Sequence, residues 1–284
     1  MIDLHSHTTE SDGTLTPQEL VEAAVKAGLE ALAITDHDTF AGFDQAATNG
    51  AAGALELICG IELSTKFRNR SVHLLAYFLD NRPSQEFRDW IQHLQDARHR
   101  RNRELVAKLQ GQGFNLTLDE VYRLGGTLPG RPHFATILVS KGYFPSIQQA
   151  FDECLSETGN CYISRDEPSF TEAVRRVNES RGFPSLPHPI RVSRDPRVLE
   201  RYLREMRELG LRGIEVYHSD HSAADTELHR DLATRLGLAM TGGSDFHGAI
   251  KPQIELGTGR GGNLNIPRSV LDQLRSGIGI SARD

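Results

Sequence analysis

Thr16-Pro17-Gln18-Glu19-Leu20-Val21-Glu22-Ala23-Ala24-Val25-Lys26-Ala27-Gly28-Leu29-Glu30-Ala31-Leu32-Ala33-Ile34-Thr35-Asp36-His37-Asp38 holds one full unit of the fold. Pro17 to Ala27 has the apolar spacing of an amphipathic helix, with Thr16 as N-cap, Pro17 at the first helical position and Gly28 as the stop. Ala31-Leu32-Ala33-Ile34 then reads as a short apolar strand whose end delivers Asp36-His37-Asp38. The unit recurs. A helix from Asp195 to Leu209 stops at Gly210, and the strand Gly213-Ile214-Glu215-Val216-Tyr217 delivers His218. A helix from Ala223 to Leu236 stops at Gly237, and Leu238-Ala239-Met240-Thr241 leads to Asp245 and His247. Further strands are expected at Ile2–Leu4, Leu55–Cys59, Val72–Tyr77 and near Ser185–Pro187.

Short apolar strands alternating with helices predict a parallel sheet covered on both faces. Seven or so strands favour an α/β barrel over an open doubly wound sheet. No Gly-rich dinucleotide fingerprint follows the first strand. The length of 284 residues suits one barrel of roughly 250 residues with an insertion. The alternation lapses between Arg98 and Pro168, where helices are expected at Pro83–Leu109, Leu118–Leu124, Pro132–Lys141 and Ile147–Leu155. We therefore expect a barrel from residues 1–98 and 169–284, with a mostly helical insertion at 99–168 acting as a substrate cap. After Gly277 a last strand or a loosely held end is expected.

A net charge of −6, from 38 acidic and 32 basic residues, argues against a strongly basic nucleic-acid coat. Cys59, Cys154 and Cys161 form no CxxC pair, which suits a reducing compartment. The start lacks a basic region followed by a long apolar one, and no stretch is apolar enough for a bilayer, so a cytoplasmic protein is expected.

Clusters of metal-type ligands follow the apolar runs. His5 and His7 stand at i and i+2, the same face of a strand, so two imidazoles can reach one ion. Asp12 follows in a polar loop. Asp36, His37 and Asp38 are more ionisable groups than a helix cap needs. Glu62 follows Cys59-Gly60-Ile61, and His73 interrupts the apolar run Val72-His73-Leu74-Leu75. Prolines flank His188 on both sides, and Asp245-Phe246-His247 repeats the strand spacing. Singly, a turn carboxylate or a satisfied core histidine accounts for most of these. Gathered at strand ends, imidazole and carboxylate without cysteine suit two or three divalent ions such as Mn²⁺, Fe²⁺ or Zn²⁺. Closely spaced ions of this kind serve phosphate-ester hydrolysis.

In this order, H-S-H, D-G, T-D-H-D, G-x-E, H, P-H-P and S-D-x-H resemble the motifs of the polymerase and histidinol phosphatase (PHP) superfamily. The resemblance implies a distorted (β/α)₇ TIM-like barrel with a trinuclear site. It also implies a ligand set: His5, His7, Glu62 and Asp245 for one ion; Glu62, His73 and His188 for a second, Glu62 bridging; Asp12, His37 and His247 for a third. The start H-S-H-T-x-x-S-D-G and the insertion's Gly130-Arg131-Pro132-His133-Phe134-Ala135 are most similar to a subgroup of nucleoside 3′,5′-bisphosphate phosphatases, some also 5′→3′ exoribonucleases on short RNA.

The expected reaction is attack by a metal-bridging hydroxide on the 3′-phosphate of a nucleoside 3′,5′-bisphosphate such as adenosine 3′,5′-bisphosphate, releasing a 5′-nucleotide and phosphate. His218, or a metal-bound water, would protonate the leaving oxygen. Arg131, His133 and Arg191 are the candidates for the other phosphate, with Arg165 and Arg194 behind them; arginine matches phosphate as a bidentate fork. Phe134 or Tyr143 would stack on the base or belong to the core. The expected partners are a small nucleotide and short RNA, with no membrane and no protein partner. The alternatives are a PHP histidinol-phosphate phosphatase, an exonuclease on longer RNA or DNA, and a metal-dependent binding or regulatory module without turnover.

Overall fold

The structure, a computed structural model, describes residues 1–49, 54–80, 82–164 and 167–278. The strands β1 (Ile2–Asp3), β2 (Ala31–Ile34), β3 (Glu56–Phe67), β4 (Arg70–Phe78), β5 (Phe183–Leu186), β6 (Gly213–His218) and β7 (Ala239–Gly243) form one seven-stranded sheet in chain order. The sheet closes on itself nearly completely. Leu4 N–H donates to Gly242 O at 3.1 Å, Asp245 N–H to His5 O at 2.9 Å and His7 N–H to Phe246 O at 2.9 Å, so the first strand lies beside the last. The architecture is the expected α/β barrel.

The helices α1 (Pro17–Lys26), α2 (Ala41–Asn49), α7 (Phe170–Glu179), α8 (Pro196–Glu208) and α9 (Ala223–Leu236) surround it. Their ends follow the sequence chemistry. Thr16 caps α1 in a reciprocal box with Glu19, Asp195 caps α8, and Gly237 leaves α9 in the left-handed conformation at φ 62°. Outward-facing strand residues such as Leu32, Ile34 and Val216 pack on these helices. Inward-facing Leu4, Ala33, Leu75 and Phe183 form a second apolar cluster completed by Val270, Leu271 and Leu274 of α10 (Arg268–Ile278). Helices α2, α7 and α10 go beyond the sequence reading, as does a small β8–β9 hairpin (Ile254–Glu255 with Gly259–Arg260).

The expectation of a parallel sheet needs one correction. β4 runs antiparallel to both β3 and β5. No helix separates β3 from β4; they join through Arg68-Asn69, at φ 49° and 59°, the twisted two-residue turn that suits a hairpin. An apolar run looks the same in either direction, so hydropathy alone cannot reveal the reversal. The strand Leu55–Cys59 also runs on to Phe67, which puts Glu62 within β3 rather than after it.

The segment between β4 and α7 is helical: α3 (Gln85–Gly111), α4 (Leu118–Gly125), α5 (Arg131–Ser140) and α6 (Ile147–Ala150), then a π-turn at Phe151–Leu155 where one continuous helix was expected. α3 joins both parts. Phe87, Trp90 and Ile91 pack in the barrel's outer core, whereas Leu105, Val106 and Leu109 pack with Phe134 and Leu138 in a separate cluster. Arg98 Nη2 binds Asp38 Oδ2 at 2.6 Å, and Thr127 Oγ1 donates to Glu10 O at 3.1 Å, tying the helical segment to the barrel rim. The end of the chain beyond residue 278, where a strand or loose end was expected, lies outside the described residues. Among the described residues no helix is long and apolar enough to cross a membrane.

Candidate functional site

The loop after β1 is set by hydrogen bonds to its neighbours. Thr35 N–H donates to Ser6 O at 2.9 Å, so His5 and His7, on either side of Ser6, face the barrel mouth together. Both are wholly buried. Within T-D-H-D the three ionisable residues divide the work. Asp36 accepts from Thr8 N–H at 2.8 Å and Ser11 Oγ at 2.6 Å, holding the loop that carries Asp12. Asp38 accepts from Ser64 N–H at 2.7 Å and pairs with Arg98. His37 alone turns to the centre. A Cβ at Gly13 would lie 2.4 Å from His7 O, so only glycine lets the loop fold this tightly.

The structure brings together all nine residues expected as ligands. Glu62 is central. Its Oε2 lies 3.3 Å from His5 Nε2, 3.3 Å from His7 Nε2 and 3.3 Å from His37 Nδ1. Its Oε1 lies 2.8 Å from His73 Nδ1 and 2.9 Å from His188 Nε2. Asp245 Oδ1 stands 3.5 Å from both His5 Nε2 and His7 Nε2. Asp12 reaches His247 Nε2 at 3.3 Å and His37 Nε2 at 3.7 Å. β7 ends at Gly243 and Asp245 adopts φ 56°, so Asp245 and His247 do not share one strand face: one joins the His5–His7 group, the other the Asp12 group. His188, which could have been an exposed turn residue, is buried.

These residues fit divalent ions. His7 Nε2 and His37 Nδ1 are buried without a hydrogen-bond partner, although carboxylate oxygens stand 3.3 Å away. Donors that crowd one another without aligning are what ligands around a common centre look like. With bonds of about 2.0–2.2 Å, ligand-to-ligand edges come to about 3.0–3.5 Å. Burial opposes ionisation of Glu62, yet His37, His73 and His5 outweigh it and hold the carboxyl well below its usual range; Asp245 is held low in the same way by His5, His218 and His7. Burial drives His37 down to about 3 and His188 to about 4; it opposes the charged form of His5, His73 and His7 too, but the carboxylates facing them raise all three, His7 to about 9, so bound cations would have to displace those protons.

Residues outside the expected set brace the cluster. Glu215 accepts from His5 Nδ1–H at 2.9 Å. Asp3 accepts from Ser244 N–H at 2.9 Å and from His5 N–H at 3.2 Å. Lys251 Nζ lies 2.8 Å from Asp245 Oδ2. The sequence signal for Asp3 and Glu215 is a carboxylate set within an otherwise apolar strand. Lys251 has no such signal. His218, expected at the rim as a candidate acid, is wholly buried behind Asp245, with Nε2 3.4 Å from Oδ2. Its Nδ1 accepts from Asp220 N–H at 3.0 Å, so the proton sits on the nitrogen facing Asp245. Nε2 has no hydrogen-bond partner, as is also true of His7 Nε2 and His37 Nδ1.

A cavity opens between the cluster and the helical segment. Asp12, His37 and His73 line one side; Arg101, Arg131 and His133 line the other. Arg131 begins α5, donates from Nη1 to Leu155 O at 3.2 Å and lies over the Tyr162 ring at 5.4 Å. His133 Nδ1 accepts from Gly130 N–H at 3.0 Å, and burial pushes its imidazole below the usual value, so it stays neutral and shapes the loop. Arg191 is not among the residues lining this cavity but sits against the cluster itself, bound to Asp245 Oδ2 and Asp220 Oδ2 at 3.1 Å each. Arg194 is exposed, and Arg165 lies outside the described residues. Phe134 is wholly buried in the helical core, and Tyr143 Oη accepts from Asn115 N–H at 2.9 Å away from the cavity; Phe151 is the aromatic side chain that lines it. Arg98 and Arg101, which also line the cavity, went unassigned from sequence. Their i, i+3 spacing on α3 is the signal that could have found them.

The PHP domain family matches this chain over residues 3–164. A 3′,5′-nucleoside bisphosphate phosphatase from Chromobacterium violaceum is 30% identical, over 87% of this chain and 87% of the relative. The 5′-3′ exoribonuclease Rnm of Escherichia coli is 32% identical, over 90% of this chain and 87% of the relative. A solved structure from Bifidobacterium adolescentis, provisionally described as a metal-dependent phosphoesterase, superposes with a TM-score of 0.80 at 35% identity, covering 97% of this chain and 95% of that one.

Proposed function

The chain belongs to the PHP domain family, and from that membership we propose a metal-dependent phosphatase that removes the 3′-phosphate of nucleoside 3′,5′-bisphosphates. Water adds at phosphorus, the bond to O3′ breaks, and O3′ leaves with a proton as the 5′-nucleotide. The observation that carries this reading is the cavity with a ligand cluster on one wall and arginines on the other. That pairing suits a substrate with two phosphates, one reacting and one held.

His5, His7, Glu62 and Asp245 would hold one ion, His73 and His188 with Glu62 a second, and Asp12, His37 and His247 a third. When bound, such ions polarise the phosphoryl oxygens and make water a competent nucleophile near neutral pH. The chain's own residues do the rest. Arg131, Arg101 and the N-terminus of α5 fix the second phosphate, and the cavity's depth sets its distance from the reacting one. Lys251 and Arg191 keep Asp245 in place. The helical segment acts as the substrate cap.

A 5′-3′ exoribonuclease activity on short 5′-phosphorylated RNA uses the same geometry, with the terminal phosphate in the arginine pocket; similarity to the E. coli relative favours it. Histidinol phosphate fits less well, because its ammonium group would stand beside Arg101 and Arg131. The test is phosphate release with Mn²⁺ from adenosine 3′,5′-bisphosphate, adenosine 3′-monophosphate, histidinol phosphate and a short 5′-phosphorylated RNA. The bisphosphate should have the highest kcat/KM of the phosphate-releasing substrates. Faster turnover of histidinol phosphate, or none of the bisphosphate, refutes the proposal.

A further inference from the structure

Glu215 sits on β6 between Ile214 and Val216, which face the outer core, and its side chain is wholly buried. Both carboxylate oxygens are occupied. Oε1 accepts from His5 Nδ1–H at 2.9 Å, and Oε2 accepts from the backbone N–H of His188 at 2.6 Å. The far ends of those two histidines meet opposite oxygens of Glu62: His5 Nε2 lies 3.3 Å from Oε2, and His188 Nε2 lies 2.9 Å from Oε1.

The bond to His188 matters because of its backbone. His188 adopts φ 31° and ψ 62°, between Pro187 and Pro189. A non-glycine residue is strained there, and a following proline disfavours helical conformations further. The bond to His5 matters because of its proton. A donating Nδ1–H leaves Nε2 with a free lone pair, the state a metal ligand needs.

We propose that Glu215 is a positioning residue that couples two ion positions, setting the ring of His5 for one and the backbone of His188 for the other. This rests on the reading above in which those two histidines ligate separate ions bridged by Glu62. One carboxylate then controls both sides of the bridge, and the two positions fill or empty together. The Asp12, His37 and His247 position has no contact with Glu215 and meets the bridge only through His37 and Glu62, so it should change least.

Glu215→Gln tests this, because an amide offers one acceptor and one donor where two donors must be met. Either His188 N–H or His5 Nδ1–H is then opposed, and a flipped His5 tautomer would present N–H to the ion. Wild type and E215Q are stripped with a chelator and titrated with Mn²⁺, following free Mn²⁺ by electron paramagnetic resonance. We expect both Glu62-sharing positions to weaken together by about 10- to 100-fold. The remaining site should stay within about twofold and should disappear on adding Asp12→Asn. At saturating Mn²⁺ the kcat of E215Q should recover to near wild type, as it would for a residue acting through others. Should E215Q fail to fold without metal, by its thermal transition, Glu215→Asp carries the same test, since the shorter side chain cannot reach both partners. Unchanged affinity, or weakening of one position only, overturns the coupling while leaving the functional reading intact. A wild type that binds no Mn²⁺ overturns both.

Discussion

Two walls face each other across the cavity, and they are built differently. On the barrel side most cluster residues are buried, Asp12, His37 and His73 being part-exposed at the cavity, and several are held by further groups: His5 by Glu215, the Asp12 loop by Asp36, Asp245 by Lys251 and Arg191. On the helical side Arg131 is held by one carbonyl and one aromatic face. The first wall is over-determined, and a cluster of charges that must act as a unit needs that. At Arg131 the second is lightly held, unlike at buried Arg98 with its Asp38 partner, so a change at Arg131 should shift preference without dismantling the chemistry. Under the proposed function, reaction type would belong to the barrel and substrate choice to the insertion.

That contrast can be broken most forcefully at its centre. Glu62→Gln should lower kcat by roughly 10³-fold or more, because one side chain meets every histidine of two ion groups. Metal analysis should show lost ions. Full activity at unchanged metal content would remove Glu62 from the bridge. Next in size is chelation of the whole protein. Turnover should vanish and return with Mn²⁺, and re-addition at about 100 times the dissociation constant should stabilise the fold by about 2.7 kcal/mol in thermal unfolding. An unmoved transition would mean that the cluster holds no ion.

The opposite wall should respond more gently. Arg131→Ala should raise KM for a nucleoside bisphosphate by roughly 10- to 100-fold, the range of one charge-assisted contact, while leaving a 3′-monophosphate little affected. Equal effects on both substrates would end the claim that this arginine reads the second phosphate. Smallest is Tyr162→Leu, which removes the ring beneath Arg131. A loss of about 0.5–1 kcal/mol, or roughly two- to fivefold in KM for the bisphosphate alone, is expected. An effect larger than that of Arg131→Ala would show that Tyr162 meets the substrate itself.

The two walls also differed in how legible they were. Helices α1, α8 and α9 announce themselves through caps, glycine stops and apolar spacing, and the strands between them through short apolar runs. The reversal of β4 was hidden, because its turn, Arg68-Asn69, lacks the glycine that usually marks a tight hairpin. On the cluster side, histidines and carboxylates at strand ends are rare enough to be noticed. Their braces were not: a single Glu215 in an apolar strand has the same composition whether it orients a ligand or marks an edge. On the helical side Arg98 and Arg101 look like any solvated helix face until the fold shows which way it turns. Phe134, for which base stacking and core packing were both open from sequence, proves to be core.

The seam between the first and last strands has a consequence for the order of synthesis. Asp3 grips Ser244 across 241 positions of sequence, and Asp245 N–H donates to His5 O. A ribosome releases His5 and His7 early and Asp245 near the end. Until β7 is made, the first strand is paired with β2 on one side only, and His5 and His7 face Glu62 without Asp245. A fragment ending before Gly243 would contain most of the cluster residues while lacking Asp245, His247 and the seam that closes the barrel beside His5 and His7.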